Sequence, residues 1–77
     1  MEINLLAFGQ IVEITGKSAW KISEVKDTNS LIKKLEEEFP SLVKMKYSIA
    51  VNKKAIQENT TINDGDAIAL LPPFSGG

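Results

Sequence analysis

Short stretches in which hydrophobic and polar residues alternate recur along this chain, a pattern typical of β-strands. The alternation predicts strands at residues 3–8, 18–25 and 47–51, a short strand at 55–56, and a wholly apolar strand at 67–71. The first and last of these strands carry apolar residues on both faces. Because side chains alternate across a strand, an inward-facing Ile3, Leu5, Ile68 and Leu70 would leave four apolar residues facing outward. Those four are Leu6, Phe8, Ala69 and Leu71.

One long stretch has helical spacing, and it lies between the second and third predicted strands. Its apolar stripe consists of Leu31, Ile32, Leu35 and Phe39. Lysines and glutamates cover the opposite side, as expected for a helix that lies on a core. The helix begins within residues 27–30, four consecutive N-cap types among which the sequence does not choose, and Pro40 ends it. A much shorter helical stretch at residues 10–15 closes at Gly16.

The predicted order of elements is two strands, a helix, and two or three further strands. If the strongly apolar strands from the two ends of the chain pair in parallel, the helical connection covers one face of the sheet. The sequence therefore predicts an α+β fold of the β-grasp (ubiquitin-like) type, a mixed four- to five-stranded sheet covered on one face by one main helix. A ferredoxin-like sandwich would need a second full helix, and residues 10–15 are too few. The uncovered apolar face predicts an interface.

The composition narrows the function further. The 77 residues fit a single β-grasp domain at 1–71 followed by an extended functional tail at 72–77. The chain contains no cysteine, histidine or arginine. Cysteine is the common strong nucleophile, histidine the usual acid–base group near neutral pH, and arginine the preferred residue for binding phosphate. We also expect no bound metal. A net charge of −1 argues against nucleic-acid binding. No apolar run suits a membrane span or a signal peptide, so a cytoplasmic protein is expected.

The tail suggests a chemistry that needs no catalytic side chain. The sequence finishes with Leu71, Pro72, Pro73, Phe74, Ser75, Gly76 and Gly77. The prolines cannot donate to a sheet ladder, so the last strand ends near Leu71 and the chain leaves it in a stiff, extended form. The aromatic residue has no core left to enter, and the glycines can pass through a channel too narrow for any other residue. We therefore interpret the prolines of the tail as a rigid spacer and the aromatic residue as an anchor. The glycines form a narrow end that carries the terminal carboxylate.

Three blocks of the sequence resemble the small subunit of molybdopterin synthase, a ubiquitin-like sulfur carrier. The first is AFGQIVEITG at residues 7–16, and the second is AVN at 50–52 with DGD at 64–66. The third and most specific block is LLPPFSGG at 70–77. Val12 is a departure, because relatives often carry arginine there, and this puts in doubt any salt bridge to a partner at that point. Thiamin-pathway sulfur carriers share the fold and the terminal glycines but resemble the chain less.

The resemblance implies a specific role for the tail. An ATP-dependent, E1-like enzyme would adenylate the carboxyl group of Gly77, and a sulfur donor protein would convert it to a thiocarboxylate. The carrier would bind no cofactor, and the activating enzyme would consume the ATP. The thiocarboxylate would then donate sulfur to precursor Z (cyclic pyranopterin monophosphate), which is bound by the large subunit of a molybdopterin synthase heterotetramer, for molybdenum cofactor biosynthesis. Gly76 and Ser75 would give clearance in the partner's channel, and the partner would be contacted by Phe8, Leu71, Pro72, Pro73 and Phe74.

Two alternatives stay open at this point. Within the same chemistry, the chain could serve thiamin or tRNA thiolation, or could act as a protein modifier. In a different class, it could be a non-catalytic ubiquitin-like interaction module with an inert terminus. The intact mass separates a thiocarboxylate from an inert terminus, and the identity of the bound partner separates the sulfur pathways.

Overall fold

A computed structural model describes residues 2–72 of the chain and shows a single five-stranded mixed sheet. The strands are β1 (Glu2–Ala7), β2 (Ala19–Ser23), β3 (Ser48–Val51), β4 (Lys54–Ile56) and β5 (Ala67–Leu71). The helices are α1 (Gln10–Thr15), α2 (Thr28–Glu38) and a 3₁₀ helix at Pro40–Lys44. The strand order is β2-β1-β5-β3-β4, with β1 and β5 parallel at the centre and the other pairs antiparallel. This is the predicted β-grasp fold.

The hydrophobic core lies between the sheet and α2. The predicted inward residues of the two central strands are fully buried: Ile3, Leu5, Ile68 and Leu70. They pack in one cluster with Leu31 and Leu35, the inner positions of α2. Burying a side chain of this size contributes about 1.5–3 kcal/mol, so these six residues account for a large part of the stability of a small domain. The predicted facing of both central strands is confirmed.

Helix α2 starts at Thr28 because Asp27 caps it. The backbone N–H of Ser30 donates to Asp27 Oδ1 at 2.8 Å, the usual bond from an N-cap side chain. This bond lowers the pKa of the Asp27 carboxyl group. Helix α2 ends at Glu38, with Phe39 as its C-cap, just before Pro40, the residue predicted to end it; the 3₁₀ helix that follows was not predicted. Pro40 opens that 3₁₀ helix rather than a loop, because its fixed φ suits a first helical position.

Two turns fix the position of β5 between its neighbours. Asn52 Oδ1 accepts from the backbone N–H of Ala67 at 2.9 Å, and Asn52 Nδ2 donates to Asp66 at 3.0 Å. Asp66 also accepts from the backbone N–H of Asn63 at 2.8 Å, and this bond lowers the pKa of its carboxyl group. The second sequence block is therefore assembled in space, and it sets where β5 starts.

The described helices are too short or too polar to cross a membrane. The longest of them, α2, has 11 residues, whereas a span needs about 20.

Candidate functional site

The site is built where the two central strands end together. Strands β1 and β5 are parallel, and Ala7 lies opposite Leu70. The next residues along each strand therefore continue side by side, with Phe8 beside Leu71 and Gly9 beside Pro72. We call these four residues the tail exit. The predicted tail begins here, at the edge of the sheet where the first sequence block also lies.

Gly9 faces the ring of Pro72 at the tail exit and leaves no room for a side chain. A Cβ atom added to Gly9 would lie 3.1 Å from Pro72 Cγ, closer than ordinary van der Waals contact. Gly9 has φ +55° and ψ −129°, a conformation that is open to glycine and strained for other residues. In the sequence, Gly9 is simply the residue after the first predicted strand, 3–8; its contact with the tail depends on the parallel pairing and was not predicted.

The start of α1 holds the backbone of this turn. The N–H of Ile11 donates to the carbonyl of Phe8, and the N–H of Val12 donates to the carbonyl of Gly9, both at 3.1 Å. Ile11 is fully buried and anchors α1 in the core. Val12 is half-buried and packs against the core as well. The turn after β1 is thereby tied to the packed interior.

The face of the sheet opposite α2 carries a continuous set of apolar residues. The strand registers align one residue from each strand in a single row: Ala19, Leu6, Ala69, Ala50 and Ala55. Because four of these five side chains are alanine, the face is low and flat, and Leu6 stands above it with 38% of its surface exposed. We call this set the apolar row. It confirms that Leu6 and Ala69 face outward.

The apolar row lies on the side of the open face nearest the tail exit. On the other side, towards the start of β1, the outward residues are polar, with Glu2 opposite Ser23 and Asn4 opposite Lys21. Glu2 and Lys21 also approach each other at 3.8 Å, as an exposed ion pair of little energetic weight. On β1 and β2 the open face is therefore divided into a polar half and an apolar half, and the apolar half adjoins the tail exit.

The structure brings three of the predicted partner-binding residues together at one edge. Phe8 exposes 47% of its side chain, and Leu71 and Pro72 are half-buried beside it. The other predicted site residues lie outside the described part of the chain: Pro73, Phe74, Ser75, Gly76 and Gly77. Their roles stay predictions.

Within residues 2–72, no group of histidine, cysteine, aspartate or glutamate side chains is arranged to hold a metal ion. Every buried side-chain nitrogen or oxygen in that part of the chain has a hydrogen-bond partner. The described site presents an exposed apolar surface next to Pro72, the last residue that the structure describes.

Comparison with known proteins agrees with this geometry. The model of the ThiS family matches residues 5–77. The molybdopterin synthase sulfur carrier subunit of Dictyostelium discoideum is 32% identical over 83 residues, covering 99% of this chain and 96% of the relative. Small archaeal modifier protein 3 of Haloferax volcanii is 25% identical over 92 residues and is covered, like this chain, to 100%.

A solved structure shows the same fold in a complex. It is titled as the complex of subunits 1 and 2 of the molybdopterin-converting factor from Helicobacter pylori. The matching chain is 32% identical to this one, each chain is covered to 100%, and the TM-score is 0.76.

Proposed function

Because the chain belongs to the ThiS family, we propose that it is the sulfur-carrier subunit of a molybdopterin synthase. The observation that carries the proposal is the meeting of the apolar half of the open face with the tail exit. A carrier of this kind has to dock on a partner and, from the docked position, deliver its tail into the partner's active site. The similarity to a sulfur carrier subunit over almost the whole length of both chains supports the same role.

The proposed reaction takes place at the carboxyl group of Gly77. A carboxylate is a poor electrophile, so it first attacks the α-phosphorus of ATP on an E1-like activating enzyme and releases pyrophosphate. A sulfide equivalent from a sulfur donor protein then displaces AMP and leaves a thiocarboxylate. The thiocarboxylate sulfur attacks a carbon atom of the precursor, cyclic pyranopterin monophosphate, and displaces an oxygen substituent from that carbon. Water then cleaves the resulting acyl–sulfur bond. The sulfur stays on the precursor and the carboxylate of Gly77 returns.

The lack of certain residue types in the chain fits this scheme. Nucleophilic and acid–base groups commonly come from cysteine and histidine, and the chain has neither. In the scheme every such group belongs to the activating enzyme or to the second synthase subunit. The carrier itself contributes only its docking face and its terminal carboxylate.

We propose the second, larger synthase subunit as the partner of the open face, in a heterotetramer. The related Helicobacter pylori protein is described as a complex of two subunits. Exposed apolar patches on small proteins usually mark interfaces, and the apolar row with Phe8 forms such a patch here. The polar half of the open face would lie at the rim of the contact.

The experiment that tests the sulfur chemistry is an intact-mass measurement. The purified chain is incubated with an E1-like activating enzyme, ATP and sulfide, beside a control chain that lacks Gly76 and Gly77. We expect the full chain to gain the mass difference between sulfur and oxygen, and the control to gain nothing. If the full chain stays unmodified under conditions in which another ThiS-family carrier is modified, the proposal is wrong.

A second candidate function is that of a protein modifier. The similarity to small archaeal modifier protein 3 over the whole length of both chains favours it. Adenylated carriers of either kind share the first step, so the deciding measurement is the fate of the activated chain. A modifier would form isopeptide bonds to lysines of other proteins, whereas a synthase subunit would be recovered with a molybdopterin synthase subunit. Recovery with a thiamin-thiazole synthase instead would indicate the thiamin pathway.

A further inference from the structure

The turn between β1 and α1 carries a feature that docking alone does not require. At Gly9 the chain is bare of side-chain atoms where it faces the ring of Pro72, and an added Cβ would lie 3.1 Å from Pro72 Cγ and 3.8 Å from Pro72 Cβ. Pro72 is the first residue after β5. The ring of Pro72, the first residue of the tail, therefore packs against the backbone of Gly9.

We propose that Gly9 is a positioning residue that sets the direction in which the tail leaves the sheet; this inference rests on the proposed function. Gly9 acts through Pro72 and does not touch the reacting carboxyl group. Proline fixes its own φ, so the orientation of the Pro72 ring is passed on to the next residue. Contact between the bare Gly9 backbone and that ring therefore limits the directions open to the chain after it.

The turn at Gly9 cannot easily move aside if it acquires a side chain. Its carbonyl accepts from the N–H of Val12 and the preceding carbonyl accepts from the N–H of Ile11, which is fully buried. Displacing the turn would disturb α1 and its core contact. Pro72 is half-buried and follows the last residue of β5, outside the ladder, so we expect the ring of Pro72 to be the part that gives way.

A small shift at Pro72 becomes large at the reactive end of the tail. Five residues follow Pro72, and once held extended in a partner's channel they span about 17 Å. A rotation of roughly 10° at Pro72 then moves the carboxyl group by about 3 Å, given that length. Displacements of about 1 Å already lower enzymatic rates a hundredfold, so this shift is enough to separate the carboxyl group from ATP.

The chain offers matched controls for this contact. Gly16 has φ +74° and Gly65 has φ +84°, so alanine is strained at both positions as it is at Gly9. Among residues 2–72, however, no atom outside their chain neighbours lies within 4 Å of a Cβ built on either glycine. Gly16→Ala and Gly65→Ala therefore share the positive φ of Gly9→Ala without the contact to the tail, although ψ is −129° at Gly9 and 9° at Gly16, so alanine is more strained at Gly9.

The experiment compares these three variants with the wild-type chain in two measurements. The first is the thermal midpoint, which we expect to fall by a few degrees in the two control variants and further in Gly9→Ala, because ψ −129° at Gly9 adds backbone strain. The second is the steady-state rate of adenylation of the carrier by the E1-like enzyme, followed by pyrophosphate release. We expect Gly9→Ala to lower kcat at least tenfold with KM changed less than about threefold, because the docking face is intact. Both control variants should keep kcat within about twofold of wild type.

A double-mutant cycle with Pro72 identifies the contact itself. Pro72→Ala removes the Cγ atom that the new methyl group would meet, so Gly9→Ala should have less than about a twofold further effect in that background. Should Gly9→Ala not fold, Pro72→Ala alone tests the contact from its other side. A fall in kcat with the thermal midpoint and KM kept supports the positioning role, and an unchanged kcat overturns it.

Each contrary result has a distinct meaning. Equal kcat for Gly9→Ala and the two control variants overturns the positioning role and leaves the sulfur-carrier function in place. A raised KM with unchanged kcat, or an undiminished effect in the Pro72→Ala background, overturns it as well by making Gly9 a docking contact. If the wild-type chain itself is not adenylated, it is the proposed function that fails.

Discussion

Phe8 exposes nearly half of its side chain, although an aromatic ring would stabilise so small a domain far more if it were buried. Its place explains the exposure. Phe8 follows the last residue of β1 and lies beside Leu71. The next residue is Gly9, which faces the ring of Pro72. An apolar ring that is exposed at this position would be buried if a partner docked on the open face. The exposure of Phe8 therefore suits a complex better than the isolated chain.

Phe8→Asp should weaken binding to the second synthase subunit at least tenfold and change the free energy of unfolding by less than about 1 kcal/mol. The reason is that the side chain is already exposed, whereas truncating a buried phenylalanine costs about 3–5 kcal/mol. The measurements are isothermal titration with the partner and denaturant unfolding. Val43→Asp is the matched control, because Val43 is 62% exposed but lies in the 3₁₀ helix of the other layer. A stability loss of 3 kcal/mol or more for Phe8→Asp, with binding retained, would place Phe8 in the core.

Tyr47 gives a prediction on pH dependence. Burial, with the nearby carboxylate of Glu36, raises the pKa of Tyr47 to about 12 from its ordinary value of 10.0, and the Tyr47 hydroxyl donates to Glu36 at 3.3 Å. The unfolded state therefore loses this proton first, near pH 10, and the native state keeps it. The stabilisation from Tyr47 is fully present below pH 10 and is lost as the pH rises towards 12.

The measurement is urea unfolding of the wild-type chain and Tyr47→Phe at several values between pH 8 and 12. Lysines titrate in the same range, so the informative quantity is the difference between the two proteins. That difference should shrink steadily above pH 10, because only the wild type can lose the hydroxyl proton. A constant difference would contradict the assigned role of the hydroxyl group.

At the scale of elements, the turn between β3 and β4 controls the strand that carries the tail. Asn52 and Lys53 both adopt positive φ, at 50° and 72°. Of the two side chains, only that of Asn52 hydrogen-bonds to the start of β5 within residues 2–72. Asn52→Gly should therefore lower the free energy of unfolding by about 1–2 kcal/mol through the two lost hydrogen bonds. Lys53→Gly keeps those bonds and relieves positive φ, so it should be neutral or slightly stabilising. Denaturant unfolding of both variants is the measurement, and equal losses would show that the side chain of Asn52 is not what matters.

The elements themselves were predictable wherever local pattern and local chemistry agreed. The strands, α1 with its glycine stop and the inward face of α2 all follow from periodicity and capping. The N-cap of α2 was not predictable, because Asp27 is fixed in part by Asn59, which donates to it at 3.3 Å from 32 residues away. The 3₁₀ helix was missed because a proline can either end a helix or begin one, and Pro40 does both. The 3₁₀ helix also depends on the full burial of Leu42, which arises only in the folded chain.

At the scale of the whole molecule, the apolar row of the open face adjoins the tail exit. Two parallel central strands end together, so the strand that begins the chain and the strand that precedes the tail present their last residues at the same edge. The sequence predicted the outward apolar residues from alternation in each strand. It could not predict the apolar row, because the row depends on the register of four strand pairs. The Gly9–Pro72 contact was missed for the same reason.

The last prediction concerns the two terminal glycines, whose roles rest on the proposed function. Gly76→Ala and Gly77→Ala each add one methyl group beyond the β-grasp domain, so neither should change the free energy of unfolding by more than about 0.5 kcal/mol. Each nevertheless places a Cβ where the activating enzyme and the second subunit should admit only bare backbone. If Gly76 also needs positive φ in the channel, alanine there carries a further cost of roughly 1 kcal/mol. Adenylation and sulfur transfer should fall at least tenfold in both variants, a barrier increase of about 1.4 kcal/mol or more.

Ser75→Ala is the matched control for these variants, because alanine is smaller than serine and the proposed chemistry gives the hydroxyl no role. It should stay within about twofold of wild type in both steps. The measurements are pyrophosphate exchange with the activating enzyme and single-turnover sulfur transfer to the precursor. Extending the chain beyond Gly77 by one residue should abolish both steps without changing the thermal midpoint, since it converts the reactive carboxyl group into an amide. Near-normal rates for both alanine variants would mean that the glycines do not serve clearance. Sulfur loading of the extended chain without prior cleavage would remove the Gly77 carboxyl group from the mechanism altogether.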